Sequence, residues 1–278
     1  MKSGVALLVS VVALVVLSTA SGSRTSIPRA ALYPNTVAFA DRMHGALGTG
    51  EPGSHGGTIE LTSNGGQSWH LVRRTRRPVS AIAAVGRYWY AQLEGGQTLK
   101  STDSGSRWGR TSDHVWSAYW TCGTGCGAGI RATPADPTWR LRTTGSGAGA
   151  QGKAVLRKLN GRWKRVACTN FADSRFFCHR RSYGGIGGYG YALGIAGNAT
   201  GFGLIWEGRG FVYATHDGGR HWTAPMGKLD VSDVDFASWA TVLPRGGIGF
   251  VLLHRSPHTR LIETTDAGRT WHVVHRWR

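Results

Sequence analysis

The sequence Thr62-Ser-Asn-Gly-Gly-Gln-Ser-Trp69 is one of four similar eight-residue stretches, which are called boxes below. The others are Ser101-Thr-Asp-Ser-Gly-Ser-Arg-Trp108, Thr215-His-Asp-Gly-Gly-Arg-His-Trp222 and Thr264-Thr-Asp-Ala-Gly-Arg-Thr-Trp271. Each box has Ser or Thr at position 1, Asp or Asn at position 3, Gly at position 5 and Trp at position 8. A pattern that returns along a chain indicates an architecture built from repeated units.

The residue types of the box predict a tight turn between two β-strands. An Asp or Asn side chain accepts hydrogen bonds from backbone N–H groups of its own turn, and Gly adopts the positive φ that such turns need. The Trp begins the return strand and packs as a large apolar surface. Strand-like runs precede the boxes, as in Gly57–Leu61, and follow them, as in Trp271–Val274. Each box therefore predicts the tip of a β-hairpin.

The spacing of the boxes predicts an all-β chain, a β-propeller of five or six four-stranded blades. Trp69 and Trp108 are 39 residues apart, close to the period of about 40–45 residues in such a blade. Trp108 and Trp222 are 114 residues apart, close to three periods, and Asn160-Gly161 with Trp163 between them indicates a degraded box. The clearest predicted blades span residues 35–72, 78–111 and 231–276. A β-sandwich would explain the strands but not the regular boxes.

The N-terminal segment, residues 1–23, is typical of a secretory signal. Lys2 provides the positive charge, Val5–Leu17 the apolar core, and Ser18-Thr-Ala20 a small-residue cleavage site, so cleavage after Ala20 is expected. An uncleaved membrane anchor is the alternative. No later stretch is long and apolar enough to span a membrane. We therefore expect a secreted or extracytoplasmic protein, and association with the cell envelope is one form of this hypothesis. Residues 24–278 are expected to form one propeller domain.

The four cysteines predict two structural disulfides in an oxidising compartment. Local bridges Cys122–Cys126 and Cys168–Cys178 are the expected pairs among three possible connectivities. A zinc site that uses these cysteines with His179 is the alternative, but the spacings do not match the usual zinc motifs. No metal ligand is therefore assigned.

The strongly positive charge favours an acidic partner. The net charge is +18, from 33 Lys and Arg, of which 6 are Lys, against 15 Asp and Glu. Outside the cytosol such a charge attracts anionic polymers, acidic glycans or acidic protein faces. An Arg-rich composition alone gives the same net charge without a site, so the position of the arginines decides between the two interpretations.

The four boxes resemble the Asp-box, or BNR repeat, of sialidase-like β-propellers. In that family the box closes the hairpin between the two outer strands of a blade, so the resemblance implies a structural role. Residue by residue, this resemblance covers only the boxes. It extends to the rest of the chain through the spacing of the boxes. The structural residues that it implies are Asn64, Gly66, Trp69, Asp103, Gly105, Trp108, Asp217, Gly219, Trp222, Asp266, Gly268 and Trp271.

Catalytic residues of the resembling sialidases are not found in this sequence. Those enzymes bind the substrate carboxylate with three arginines, the first usually in a Phe/Tyr-Arg-Ile-Pro motif, whereas Ser26-Ile-Pro-Arg29 has a different order. Glu207 and Tyr213 are the best candidates for a Glu/Tyr pair, but they lie on neighbouring predicted outer strands. The chain is more similar to the photosystem II assembly-factor type of Asp-box propeller, which implies a non-enzymatic binding or scaffold role. A reduced sialidase-like glycosidase acting on acidic glycans is the alternative.

The propeller topology predicts where the arginines meet. Connections between blades share one face with the loops between second and third strands, opposite the boxes. Guanidinium groups bind carboxylate or phosphate oxygens in pairs, so we expect that face to bind an anionic cell-surface polymer, an acidic glycan or an acidic protein surface. No cofactor and no specific nucleic acid are expected, and the oligomeric state stays open. The predicted binding residues are Arg73, Arg74, Arg76, Arg77, Arg180, Arg181, Arg255 and Arg260.

Overall fold

Antiparallel β-strands form all the regular secondary structure in the part of the chain that the structure, a computed structural model, describes. That part is residues 33–51, 53–113, 115–120, 130–134, 138–144, 152–168, 192–207, 212–222, 236–255 and 258–277. The predicted signal, residues 1–23, lies outside it, as do Cys122, Cys126 and Cys178, and Cys168 is described only by its backbone. Within these ranges, no helix is long and apolar enough to cross a membrane.

Three sheets each contain four strands that pair in chain order. Sheet 1 consists of β1 (Pro34–Phe39), β2 (Gly45–Thr49), β3 (Gly57–Thr62) and β4 (His70–Thr75). Sheet 2 consists of β5 (Val79–Val85), β6 (Tyr88–Leu93), β7 (Thr98–Ser101) and β8 (Gly109–Thr111). Sheet 6 consists of β17 (Phe236–Val242), β18 (Gly249–Arg255), β19 (His258–Thr264) and β20 (His272–Trp277).

The sheets between them are described with two or three strands each. Sheet 3 pairs β9 (Trp116–Trp120) with β10 (Ile130–Pro134). Sheet 4 contains β11 (Trp139–Thr144), β12 (Gly152–Leu159) and β13 (Arg162–Cys168), and sheet 5 contains β14 (Ala192–Gly197), β15 (Gly203–Glu207) and β16 (Val212–Thr215). All the described strand pairs are antiparallel.

Burial decreases from the inner to the outer strands of a sheet. Every residue of β2 is buried, whereas none of the residues of β4 or β20 is. Small side chains allow the inner strands of adjacent sheets to approach each other, since a Cβ on Gly48 would lie 2.5 Å from Val79 Cγ1. A hydrogen bond of 3.1 Å from the Ile82 N–H to Thr36 Oγ1 links β5 to β1. This gradient is expected of sheets that radiate from a common axis.

Hydrophobic cores lie between neighbouring sheets. Each core combines side chains from two consecutive sheets, which bury the strand faces that alternation makes apolar. Representative pairs are Ile59 with Ile82 for sheets 1 and 2, Trp139 with Ile205 for sheets 4 and 5, and Leu204 with Val251 for sheets 5 and 6.

A fourth core joins the last sheet to the first. Leu47 of β2 and Leu252 of β18 belong to it, and the Phe39 and Phe250 rings stack with centroids 3.7 Å apart. Radial packing of antiparallel sheets that returns to its starting sheet is the architecture of a β-propeller, which leaves only short, protected sheet edges. The expectation of an all-β propeller built on four-stranded antiparallel sheets is therefore confirmed.

The observed strands also refine the boundaries predicted from sequence. Sheets 1, 2 and 6 span residues 34–75, 79–111 and 236–277, against the predicted blades 35–72, 78–111 and 231–276. The degraded box forms the β12–β13 hairpin, where Asn160 and Gly161 adopt φ values of 51° and 76°.

Candidate functional site

The four boxes form the same hydrogen-bonded turn. The position-1 hydroxyl donates to the position-3 side-chain oxygen at 2.8–2.9 Å. It also accepts the N–H of the position-5 Gly, at 2.9 Å in all four boxes. The position-3 oxygen accepts the N–H of position 7 at 2.8–3.0 Å. The polar groups of each box therefore bind to one another within the turn.

Two consecutive residues of every box have left-handed backbone conformations. At position 4, Ser104 and Ala267 have φ values of 59° and 60°, although side chains disfavour this region. The position-4 N–H donates to the adjacent hairpin in three boxes, as from Ala267 to Gly247 O at 2.8 Å. This bond attaches the turn between the third and fourth strands to the one between the first and second. These two turns therefore lie at the same end of the sheet.

The position-5 Gly of a box packs against the preceding sheet. A Cβ on Gly105 would lie 2.8 Å from Leu61 Cδ2, and one on Gly219 would lie 2.7 Å from Val166 Cγ2. Its carbonyl accepts the indole N–H of the position-8 Trp in three boxes, for example from Trp108 to Gly105 at 2.6 Å. Each of these boxes thus fixes both its own hairpin and the contact with the sheet before it.

The box carboxylates are held in their charged form. Burial alone would raise the pKa of Asp217, but hydrogen bonds from the backbone and ring of His221 and from Thr215 outweigh it and lower the pKa to about 2. The N–H of Arg107, first, and the hydroxyl of Ser101 lower the pKa of Asp103. A general acid needs the opposite shift, toward neutral pH.

Among the predicted arginines that the structure describes, more lie in strands than in loops. Arg73 and Arg74 lie in β4, the outer strand of sheet 1, and Arg76 and Arg77 follow it in the connection to β5. Arg260 lies within β19 and pairs with Arg276 of β20, rather than in a loop. Arg255 ends β18 and is described by its backbone, and Arg180 and Arg181 lie outside the described residues.

Arg73 makes a structural contact between two sheets. Its Nη1 donates to the Trp108 carbonyl of sheet 2 at 2.6 Å, and its Nε is buried without a hydrogen-bond partner. Arg74, Arg76 and Arg77 are exposed, and Arg77 Nη1 donates to Glu94 O at 3.3 Å. The four residues of this basic run therefore do not have equivalent environments.

Arginines of the outer strands of sheets 1 and 2 face each other. Directly paired residues of an antiparallel sheet place their side chains on the same face. Arg73 pairs with Ile59 and Arg110 with Leu99, and both apolar partners belong to the core between these two sheets. The two arginines therefore face each other at the outer edge of this core, and the space between the two strands is called the rim groove below. The sequence analysis predicted the arginines at residues 73–77 as binding residues. It did not predict Arg110, whose position is evident only from the strand register.

A charged cluster joins sheets 6 and 1 at the box end. Arg42 Nε donates to Glu263 Oε1 at 2.8 Å, and His272 Nε2 lies 2.8 Å from Glu263 Oε2. Only 6% of the Glu263 side chain is exposed, against 54% for Arg42 and His272. The positive charge of Arg42 therefore balances the buried Glu263 carboxylate at the place where sheet 6 meets sheet 1. Sequence analysis missed this cluster because Arg42 and Glu263 are 221 residues apart.

A cavity of about 370 Å³ lies at the centre of the ring. The first strands of sheets 1, 2, 4, 5 and 6 contribute to its wall, together with Trp206 of β15. The largest side chains that line it are Phe39, Trp139, Trp206 and Trp239. Among the described residues, the lining includes no arginine and no carboxylate, the groups that a sialidase-like centre requires at this place. The same residues form no cluster of His, Cys, Asp or Glu that could hold a metal ion.

Comparison with known proteins gives similarity only at the level of structure. No protein-family model matches the sequence, and no curated protein does. The solved structure of YCF48 from Cyanidioschyzon merolae is 16% identical, with 87% of this chain and 71% of that chain covered and a TM-score of 0.32. A GH74 xyloglucanase from Xanthomonas campestris is 13% identical, with 86% and 38% covered and a TM-score of 0.29. The nidogen/laminin complex is 11% identical, with 89% and 81% covered and a TM-score of 0.38. The strand order and the closure of the ring, rather than these similarities, define the fold.

Proposed function

We propose that this chain is an exported, non-enzymatic binding or scaffold protein, a six-bladed propeller that recognises an acidic partner through its basic outer strands. The six described sheets support six blades. The rim groove, together with the exposed cations beside it, is the proposed contact surface. It replaces the single face opposite the boxes that the sequence predicted.

The distribution of charge on the outer strands is the observation on which the proposal rests. The last strands of sheets 1, 2, 4 and 6 contain no Asp or Glu. Each of them instead presents exposed cations to the outside of the ring. These are Arg74 in β4, Arg110 in β8, Arg162, Lys164 and Arg165 in β13, and Arg276 in β20.

The rim groove is the part of this basic surface where arginines of two sheets face each other. Arg110 is exposed on one wall, and the connection after the other wall adds exposed Arg76. Several guanidinium groups along one groove suit an extended acidic chain, because each can bind a carboxylate in two parallel hydrogen bonds. The nearby carboxylate of Asp113 does not compete for them, since Lys100 Nζ binds it at 2.8 Å.

Cations on edge strands also prevent the edges of two molecules from pairing. That role needs charge on the strand but no particular partner. An experiment that compares two sets of arginines with equal charge separates the two roles.

The experiment compares binding of poly-L-glutamate and of polygalacturonate at near-physiological salt, where charges are screened over about 8 Å. Replacing Arg74, Arg76 and Arg110 by Ser should weaken binding by about tenfold. The control variant replaces Arg220, Arg245 and Arg269, exposed arginines at the box end and outside the outer strands, by Ser, which removes the same charge and should change affinity less than about twofold. Equal losses in the two variants would leave only nonspecific attraction and would refute the contact surface formed by the rim groove and the exposed cations beside it. The ratio of the two polymers' affinities identifies the partner as polypeptide or glycan.

Export is supported by the signal-like N-terminal sequence and by the cysteine content. Edman sequencing of the mature protein should give a start after Ala20, and a retained N-terminus would indicate an anchor instead. Non-reducing peptide mapping should find Cys122–Cys126 and Cys168–Cys178, whereas free thiols or bound zinc would contradict the disulfide prediction.

A further inference from the structure

The charged cluster at the box end lines an open pocket between sheets 6 and 1. The pocket has a volume of about 480 Å³, within the range of about 300–1,000 Å³ of small-molecule sites. It is called the closure pocket below. The side chains in its lining that matter here are Arg42, Met43 and Gln67 from sheet 1 and its turns, and Glu263, His272 and Val274 from sheet 6.

Arg42 has hydrogen-bond donors left after it has bound Glu263. Its Nε and Nη2 donate to the two oxygens of that carboxylate at 2.8 and 3.4 Å. A guanidinium has more N–H groups than one carboxylate can accept, and Nη1 of Arg42 has no partner among the described residues. Because 54% of the side chain is exposed, the edge formed by Nη1 and Nη2 can reach a second acceptor.

The turn that carries Arg42 is held in place from both sides. The Asp41 carboxylate accepts the N–H groups of Met43 and His44 at 2.8 and 2.9 Å, and the Met43 carbonyl accepts the N–H of Gly65 in the first box at 2.9 Å. Together with the ion pair to Glu263, these bonds fix the arginine before any ligand arrives. Such preorganisation lowers the entropic cost of binding.

The chemistry of the lining selects an anion over a cation. Only 6% of the Glu263 side chain is exposed, and its two oxygens already bind Arg42 and His272, so no carboxylate is left for a ligand cation. The net charge of +18 also favours an anion.

An apolar surface lies beside the free edge of Arg42. Met43, at 47%, is the most exposed large apolar side chain among the described residues, and the half-buried Val274 continues the lining. A ligand that covered Met43 would remove apolar surface from water. The pocket therefore suits a molecule that combines a negative charge with an apolar part.

We propose that the closure pocket binds a small molecule with a carboxylate and an apolar body. The carboxylate accepts two parallel hydrogen bonds from Nη1 and Nη2 of Arg42, and the body packs on Met43 and Val274. This site is separate from the rim groove, which lies between sheets 1 and 2 and shares no residue with it. Failure of either site would leave the other untouched.

The test follows the methyl signal of Met43 by NMR in the full chain labelled with carbon-13 methyl-methionine. The chain has 3 Met, and a Met43→Leu spectrum identifies the signal of Met43. Phenylbutyrate should shift that signal saturably, because its ring would stand against the methyl group. Phenylbutyramide has the same shape without the charge, and acetate lacks the apolar body. Each should bind at least about tenfold more weakly.

Three variants test the geometry without removing charge from Glu263. Arg42→Lys should weaken phenylbutyrate binding by about tenfold, because an ammonium keeps the positive charge but has no planar pair of donors. The Gln67 side chain is exposed, so the fold tolerates a charge there. Gln67→Glu should weaken binding by about threefold and Gln67→Lys should strengthen it by about threefold.

Arg220→Gln is the matched control, because it lowers the net charge by the same amount as Gln67→Glu at an exposed position outside the pocket lining. It should change the affinity by less than about 1.5-fold. Absence of a saturable shift, equal affinities for phenylbutyrate and its amide or for phenylbutyrate and acetate, or equal affinities of Gln67→Glu and Gln67→Lys would each overturn the proposal. Near-ultraviolet circular dichroism checks that every variant is folded.

Discussion

Gly66 of the first box lies against Leu261 of the last sheet, where a Cβ on the glycine would stand 2.7 Å from Leu261 Cδ2. The same relationship holds one sheet further on, between Gly105 and Leu61. Gly66 also adopts a φ of 90°, so both its conformation and its surroundings require glycine. The contact means that the box of sheet 1 helps to close the ring.

Gly66→Ala should therefore destabilise the protein by about 2–4 kcal/mol, the combined effect of an unfavourable φ and overpacking. Gly161→Ala is the matched control, because Gly161 has a φ of 76° with nothing within 4 Å of its missing Cβ. It should lose only the conformational part, about 1 kcal/mol. Urea unfolding measures both. Equal losses would show that the contact with Leu261 contributes nothing.

Asp217→Ala should destabilise the third box by about 1–3 kcal/mol. The substitution removes the acceptor for the N–H groups of Arg220 and His221, both at 3.0 Å. Asp217→Asn should cost less, because the first box makes the equivalent bond with Asn64. Thermal unfolding checks the order of the three proteins. An unchanged melting temperature combined with lost partner binding would contradict the structural role of the box.

Acid should weaken the fold through the same carboxylates. The pKa of Asp217 is lowered to about 2 in the folded state from 3.8 in the unfolded state, and the pKa values of Asp103 and Asp266 are also lowered. A depressed folded pKa stabilises the protein above the unfolded value and loses that contribution as the pH falls through the folded value. The free energy of unfolding should thus fall between pH 4 and pH 2. In Asp217→Asn this fall should be shallower, and an unchanged pH profile would refute the assignment to Asp217.

Arg42→Gln should loosen the contact between sheets 1 and 6. The substitution leaves the buried Glu263 carboxylate with His272 alone, and loss of a hydrogen bond to a charged group costs about 1.5–3 kcal/mol. Because Arg42 is half-exposed, the lower part of that range is expected. Arg162→Gln, at an exposed position, should change stability by less than about 0.5 kcal/mol. Denaturant unfolding at low and high salt compares the two, and equal effects would contradict a closure role for Arg42.

Local sequence patterns predicted the repeated hairpins because each box contains all the atoms of its own turn. Thr264, Asp266 and Gly268 bind one another within five residues, so residue type and spacing are enough. The blade boundaries follow from the same turns and from alternation in strands such as β7, whose residues alternate between buried and half-buried.

The candidate sites were less predictable because their residues meet through the register of different sheets. The rim groove depends on which face of β8 presents Arg110, and the bulge between Ile59 and Glu60 shifts the pairing of β4. The central cavity is visible only once residues of five sheets line it. The predicted topology placed Arg73 in a loop between blades. In the structure, β4 extends three residues beyond the predicted blade end at Val72 and includes Arg73.

Adjacent Arg73 and Arg74 should give opposite results in stability and binding. Arg73 donates to the Trp108 carbonyl at 2.6 Å across two sheets, whereas the exposed Arg74 lies on the other face of β4. Arg73→Gln should therefore lower the free energy of unfolding by about 1.5–3 kcal/mol, since a charged donor to a carbonyl is lost. Arg74→Gln should change it by less than about 0.5 kcal/mol while weakening poly-L-glutamate binding more than Arg73→Gln does. Both variants remove one charge from neighbouring positions, so net charge cannot explain a difference. Urea unfolding and a binding titration on each protein decide the point, and identical behaviour in both assays would show that the register of β4 does not separate structural from binding arginines.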